Sequence, residues 1–175
     1  MSQETETSAS PETNAPNEAL IADLRAKLAK QETSGRPHEF VKTLVELGDE
    51  LPPGDEKVEL YLKAADLYAN KFMNQAEAVR TFEKIREVDS SNPQAIEFLQ
   101  EMYEKRRDWE KLIALKKDLA ESIEEPSERA TAFKEIADLA TQRVKKPDVC
   151  IDLWAIVLQN DPEDYDALKA LAQLI

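Results

Sequence analysis

The chain has 175 residues, of which 42% are hydrophobic and 34% charged, a composition typical of a globular protein. Its 36 acidic residues outnumber 23 basic ones, and the resulting net charge of -13 disfavours nucleic acid as a partner, because such binders need clustered Lys and Arg. A single cysteine excludes an internal disulfide, and no apolar run approaches the roughly 20 residues that span a bilayer. We therefore expect a cytoplasmic protein that does not insert into membranes.

The first segment, residues 1–16, consists mainly of Ser, Thr, Glu and Pro. It has too little apolar surface to offset the entropy cost of ordering, so we predict a disordered acidic tail. Helical periodicity begins after Asn17, which is placed to cap a first helix of about 18–31. We assign residues 17–175 to one helical repeat domain. The apolar stripe of its first helix consists of Leu20, Ile21, Leu24 and Leu28.

Only three glycines occur, while Ala, Leu, Glu, Asp and Lys dominate, which favours helix over sheet. After residue 31 the chain continues as segments of about 12 to 17 residues between turn-forming residues. We therefore predict an all-α fold of about nine short antiparallel helices. The predicted turns lie at Gly35-Arg36-Pro37, Pro52-Pro53-Gly54, Asn74, Asn92-Pro93, Arg107-Asp108, Glu125-Pro126, Lys146-Pro147 and Asp161-Pro162.

The sequence also repeats internally. A shift of 72 residues aligns 36–103 with 108–175 without a gap and keeps apolar character at corresponding positions. Half of this period is close to the length of one helix-turn-helix unit, so each block is expected to hold two helix pairs. The matched residues include Ala65 with Ala137, Leu67 with Leu139, Phe82 with Trp154, Ile85 with Val157, Ala95 with Ala167 and Leu99 with Leu171.

The second predicted helix pair has Ala64-Ala65-x-x-Tyr68 on its first helix and Ala78-x3-Phe82 on its second. The block 72 residues later has Cys150-x3-Trp154 followed by Pro162. This pattern resembles the tetratricopeptide repeat, whose helices carry a small pair, a Tyr, A-x3-F and then Pro. The pair between them departs from the pattern, since Leu112-x3-Lys116 lacks the aromatic.

The resemblance covers about 17–175 and implies a right-handed α-solenoid of about 4.5 helix pairs. The alternating pairs are similar to the arrays of very long bacterial repeat proteins. The half-a-TPR repeats of RNA-processing assemblies are an alternative family, which the Ala78-x3-Phe82 register and Pro162 favour less.

This family resemblance implies a non-enzymatic scaffold that binds a protein or peptide in a groove lined by the first helices of successive pairs. Three glutamates on one such helix, at i, i+4 and i+7, predict a partner of basic or mixed charge, although a solvated face is the plainer explanation. Acidic residues also stand where a chaperone-tail clamp would carry asparagines, which argues against that ligand. The predicted groove residues are Ala22, Ala26, Glu59, Leu62, Asp66, Glu97, Glu101, Glu104, Lys134, Asp138 and Thr141.

We expect different surroundings for the two tryptophans. Trp109 begins the second helix of the third pair, where we expect it to pack between turns; the alternative is an exposed binding aromatic. Trp154 occupies the position that corresponds to Phe82 and is expected in the core.

No pattern indicates catalysis. His38 is the only histidine, no Cys/His cluster has metal-ligand spacing and no Gly-rich loop could hold phosphate. Cys150 is expected to be a small buried residue. We therefore predict neither an enzyme nor a bound cofactor or metal.

The C-terminal segment ends in an apolar face without the polar cap that terminates most solenoids. We expect this face either to stack against another chain or to continue in a longer repeat protein. The alternative function is therefore a self-assembling array or an appendage of a larger chain. The residues of this face are Leu168, Leu171, Leu174 and Ile175.

Overall fold

A computed structural model describes residues 17–175, and the predicted tail of residues 1–16 lies outside this range. The described residues form nine α-helices and no strand, which confirms the predicted all-α fold. The helices are α1 (Glu18–Thr33), α2 (Pro37–Glu50), α3 (Asp55–Asp66), α4 (Gln75–Val88), α5 (Pro93–Arg106), α6 (Trp109–Glu121), α7 (Pro126–Arg143), α8 (Pro147–Asn160) and α9 (Tyr165–Leu174).

The helix boundaries follow from local side-chain chemistry. Asn17, Asn92 and Asp164 each accept a hydrogen bond from the backbone N–H three residues later, which satisfies a donor that the first helical turn leaves unpaired. Proline is the first residue of α2, α5, α7 and α8, where its missing N–H costs nothing. All the turns that the sequence predicts separate consecutive helices.

The chain divides into two compact units, and the boundary falls between Asn74 and Gln75. In the first unit, α1 packs on α2 and α2 on α3. A π-helical turn, Leu67–Lys71, continues α3. The core of this unit consists of side chains from all three helices: Leu24, Phe40, Val41, Leu44, Leu47, Leu51 and Ala64, with Leu28 and Leu60 packed against them.

In the second unit, helices α4 to α9 pack in chain order, each on the next. Trp154 is 3% exposed, as predicted, and its indole Nε1 donates a hydrogen bond to Thr141 Oγ1 at 3.2 Å. Cys150 is also buried. The main core of α7, α8 and α9 includes Phe133, Ile136, Ala137, Ala140, Leu153, Val157 and Ala167.

The internal repeat of the sequence is visible in the helix starts. Helices α2, α4 and α5 begin at Pro37, Gln75 and Pro93, and α6, α8 and α9 begin 72 residues after them. Buried positions also repeat after 72 residues, since Ile85 and Val157 are both 0% exposed. The sequence repeat therefore corresponds to a repeat of helices and of core positions. The assignment of 17–175 to one domain stays a prediction.

Candidate functional site

A cleft of about 440 Å³ opens in the second unit between α5 and α7. Both helices pack on α6, but they do not pack closely on each other, so a strip of α6 forms the floor. The lining residues are Gln100, Glu104, Trp109, Leu112, Lys116, Leu119, Ala120, Ile123, Ala132, Glu135, Ile136 and Leu139.

The cleft is apolar at its base and charged at its rim. Leu112 and Ile136 are buried below it, while Leu119 and Leu139 remain partly exposed to solvent. Glu104 on α5 and Glu135 on α7 are exposed. Partly exposed apolar side chains that surround a concave surface are typical of sites that accept an apolar group from a ligand.

Residues 72 positions earlier explain why the cleft is open. In the first unit, Leu60 packs over α2 beside Leu44, which is 0% exposed. The corresponding residues in the second unit are Ala132 and Lys116. Because alanine is too short to fill the space that leucine fills, part of the α6 surface stays uncovered.

The charges of the rims also favour an open cleft. Across the first unit, Lys63 on α3 forms an ion pair with Glu32 on α1 at 3.5 Å, and Arg25 pairs with Glu56 at 2.7 Å. The residue that corresponds to Lys63 in the second unit is Glu135, and within the described residues no ion pair joins α5 to α7. Two carboxylates on opposite rims repel each other and do not draw the helices together.

Trp109 forms the end wall of the cleft. It begins α6 and is half-buried, so it is neither a core residue nor fully exposed. The guanidinium of Arg143, at the end of α7, lies 5.2 Å from the centre of its ring, a cation–π contact. This contact fixes the ring between the ends of α5 and α7, and leaves one part of it in the cleft.

A polar cluster connects α4, α5 and α6 through hydrogen bonds to Glu83. Glu83 accepts hydrogen bonds from Tyr103 at 2.8 Å and from Lys111 at 2.7 Å. Burial raises the pKa of Glu83, but the hydrogen bonds from Lys111 and Tyr103 outweigh it and lower the pKa below its usual range. The pKa of Tyr103 is raised, first by burial and then by its hydrogen bond to Glu83. The carboxylate is therefore ionised and serves to orient α5 on α6.

The predicted groove residues are distributed over both units. Those on α1 and α3 belong to the first unit, where Glu59 and Asp66 are exposed and Leu62 is half-buried. On α5, Glu97, Glu101 and Glu104 are all exposed, which is consistent with their position on one face of the helix. The remaining predicted groove residues are Ala22, Ala26, Lys134, Asp138 and Thr141.

Of the predicted residues, only Glu104 lines the apolar cleft. Glu101 is paired with Lys105 on its own helix. Lys134 binds Asp164 at 2.9 Å and Asp166 at 2.7 Å, so its charge holds α7 to the start of α9. Asp138 lies near this group, and its pKa is raised by burial, with Asp164 and Asp166 contributing and Lys134 opposing. Sequence reasoning missed Glu135, Ala132 and the aliphatic lining of the cleft.

The predicted stacking face lies on α9. Leu168 is 49% exposed and Ile175 is 96% exposed, whereas Leu171 and Leu174 pack partly against the core of the unit. Tyr165, at the start of the same helix, is 74% exposed.

Residues 17–175 contain no group of three or more His, Cys, Asp and Glu side chains placed to hold a metal ion. None of the helices in this range is both long and apolar enough to span a bilayer. His38 lies in the first turn of α2, with its ring stacked on Phe72 at a centroid distance of 4.2 Å.

No protein-family model matches the sequence, and no curated protein matches it. The chain is similar in structure to MamA 41-end from Desulfovibrio magneticus RS-1, with 16% identity, a TM-score of 0.38, and 88% of this chain and 82% of that chain covered. It is also similar to the MamA RS-1 ArsTM double mutant, with 16% identity, a TM-score of 0.39 and the same coverage. At this identity and TM-score, no property of those proteins transfers to this chain.

Proposed function

We propose that this chain is a non-enzymatic scaffold with tetratricopeptide-like repeats, which binds a segment of a partner protein in the cleft between α5 and α7. The observation that supports the proposal most is the open apolar floor on α6 between two rims that each carry a carboxylate. Leu119 and Leu139 are partly exposed in this concave surface, so a partner that covers them would bury further apolar area.

The lining residues define the chemistry of the bound segment. Its apolar side chains would lie on Leu119 and Leu139, which are partly exposed, since burial of apolar surface supplies most of the affinity at such sites. A Lys or Arg on either side of them would meet Glu104 or Glu135 at the rims. Lys116 on the floor adds one positive charge, which suits an acidic residue or a backbone carbonyl of the same segment. We therefore infer a partner segment of mixed charge with basic residues next to its apolar anchors.

A direct test uses a fluorescein-labelled amphipathic peptide with leucine anchors and flanking lysines, and a matched peptide in which glutamate replaces each lysine. Anisotropy measured with the full chain should show tighter binding of the lysine peptide. Changing Glu104→Lys together with Glu135→Lys should weaken that binding at least about tenfold, as loss of paired charges at an interface does.

The matched control changes Glu87→Lys together with Glu163→Lys, which alters the net charge equally at exposed glutamates outside the cleft. The control should retain affinity within about twofold at moderate salt, because charges farther than a Debye length are screened. An equal loss in both double variants would contradict a local site, and so would equal affinity for the two peptides.

Self-association through α9 is a second candidate function, favoured by the exposure of Tyr165, Leu168 and Ile175. Exposed apolar side chains on one helix favour contact with a similar surface of a second copy. Light scattering over a concentration series would detect it as a rise in mass. A constant monomer mass would rule this candidate out without affecting the peptide site.

A further inference from the structure

A second, smaller cleft lies beside the first, between the turn that joins α5 to α6 and the turn that joins α7 to α8. Its volume is about 250 Å³. Trp109 and Arg143 line it together, and Trp109 is shared with the apolar cleft. The other lining residues are Arg107, Asp108, Glu110 and Val144.

The two turns concentrate positive charge in an otherwise acidic chain. Arg107 and Arg143 line the cleft. Arg106 directly precedes Arg107, and Lys145 follows Arg143 by two residues. None of these four side chains has an ion-pair partner within residues 17–175, whereas more than half of the other cations of this range are paired with a carboxylate. We call these four residues the basic edge.

The carboxylates of the cleft are already engaged. The side chain of Asp108 caps α6 by accepting the backbone N–H of Lys111 at 3.4 Å. Glu110 is bound by Lys146, an ion pair that also links the start of α6 to the turn before α8. Neither carboxylate forms an ion pair with a cation of the basic edge, so the N–H donors of Arg107 and Arg143 remain available to a ligand.

Arg143 contacts the indole ring of Trp109 through its guanidinium. The N–H donors of this guanidinium make no hydrogen bond within the described residues. A planar guanidinium with several donors matches a carboxylate in a two-bond arrangement.

Two cations of the basic edge occupy strained backbone. Arg107 and Lys145 have φ of 55° and 56°, in the left-handed region that favours glycine. Arg107 directly follows α5, and Lys145 lies two residues after α7. The residues 72 positions earlier, Gly35 and Met73, have φ of 66° and 53°, so the left-handed turns belong to the repeat, whereas the two cations occur only in the second block. A long cation at both places is less stable than glycine would be.

From these observations we propose that the basic edge binds an acidic segment of a partner protein, with a glutamate or aspartate carboxylate paired to Arg143 and Arg107. The cleft holds only a small number of side chains, and the carboxylate-rich surface around it would repel an extended polyanion such as nucleic acid. A short run of acidic residues fits both limits. The inference goes beyond the proposed function, because it concerns the turns and not the apolar floor.

The test measures anisotropy of a fluorescein-labelled peptide that carries a short run of glutamates, with the full chain at low ionic strength. A peptide with glutamine in place of each glutamate is the reference. The edge variant combines Arg107→Gly and Arg143→Gln, and the control combines Lys30→Gln and Lys169→Gln, which remove the same charge at exposed lysines on α1 and α9.

We expect the glutamate peptide to bind the unaltered chain more tightly than the glutamine peptide does. The edge variant should lose at least about tenfold in affinity, since charge-assisted hydrogen bonds are lost, and the control less than about twofold. The melting temperature of the chain with Arg107→Gly alone should stay equal or rise, which separates loss of binding from loss of fold.

Four results would overturn the proposal. One is equal loss in the edge and control variants, which would indicate only the general field of the molecule. Another is equal affinity for the two peptides. A third is equally tight binding of a short oligothymidylate. The last is tighter binding of the glutamate peptide after Glu4→Gln, Glu6→Gln and Glu12→Gln than after Glu87→Gln, Glu128→Gln and Glu163→Gln, which would assign the basic edge to the chain's own first residues.

Discussion

At the residue scale, Gly48 in the middle of α2 shows how one missing side chain fixes a packing contact. A Cβ at this position would lie 2.5 Å from Cε1 of Tyr61. The ring of Tyr61 is buried, and its hydroxyl hydrogen-bonds to Asp49 at 2.6 Å, so it has little freedom to move. The position requires glycine because of the close approach of α3, not because of its backbone conformation.

We therefore predict that Gly48→Ala destabilises the chain by about 1–2 kcal/mol, because the steric cost exceeds the gain of about 1 kcal/mol in helix propensity. Urea denaturation followed by circular dichroism measures the change. Ala120, which lies 72 residues later, is the matched site, and Ala120→Gly should cost about 1–2 kcal/mol, from helix propensity and from the loss of a buried methyl group. A stabilised Gly48→Ala chain would show that the ring yields.

Arg107 gives a second prediction at the residue scale. Because its φ is 55°, Arg107→Gly should raise the free energy of unfolding by about 0.5–1 kcal/mol. Arg106 is the last residue of α5, and Arg106→Gly should lower it by a similar amount. Thermal melts of the two single variants test this prediction, since the same chemical change at neighbouring residues should shift the melting temperature in opposite directions.

At the scale of the elements, the spacing between alternate helices is set by what fills the gap above the helix between them. Leu60 and the Lys63–Glu32 ion pair fill it above α2. Ala132 and Glu135 leave it open above α6. The same pair of packed helices thus gives a closed core in one unit and an open cleft in the other.

Filling the cleft should therefore stabilise the second unit. Ala132→Leu restores the side chain found 72 residues earlier and buries apolar surface, which we expect to add about 1–2 kcal/mol to the free energy of unfolding. Ala114→Leu adds the same side chain at an exposed site on α6 and should change it by less than about 0.5 kcal/mol. Chemical denaturation of both variants tests this, and binding of the lysine peptide should be lost only in Ala132→Leu.

We expect the contact between α7 and α9 to depend on pH. The hydrogen bond from Lys134, opposed by burial, lowers the pKa of Asp164 below its usual value. A lowered pKa means that the ionised group stabilises the fold above its unfolded pKa of about 3.9, and that this stability is lost as the pH falls through the lower folded value.

Asp164→Asn keeps the side-chain oxygen that caps α9 but removes the charge. We expect the variant to be less stable at pH 7 by roughly 0.5–1 kcal/mol, a modest value because Lys134 is partly exposed. The difference should shrink as the pH is lowered below about 4. Denaturant titrations at several pH values measure it, and a difference that does not change with pH would contradict the ionic contribution.

At the scale of the whole molecule, the net charge of -13 opposes compactness. Added sodium chloride screens like charges, so we predict that moderate salt raises the melting temperature by a few degrees. A fall would mean that the exposed ion pairs outweigh the general repulsion. Differential scanning calorimetry over a salt series distinguishes the two results.

The sequence by itself determined the helices, their limits and the core positions, because each depends on nearby residues. Asn92 caps α5 through an amide three residues away, and Trp154 is buried because its helix keeps one apolar face. The open cleft was decided only by the tertiary structure, because the distance between α5 and α7 depends on what fills the gap between them. The cation–π contact of Arg143 with Trp109 likewise joins two helices that are separate in the chain, so no local pattern specifies it.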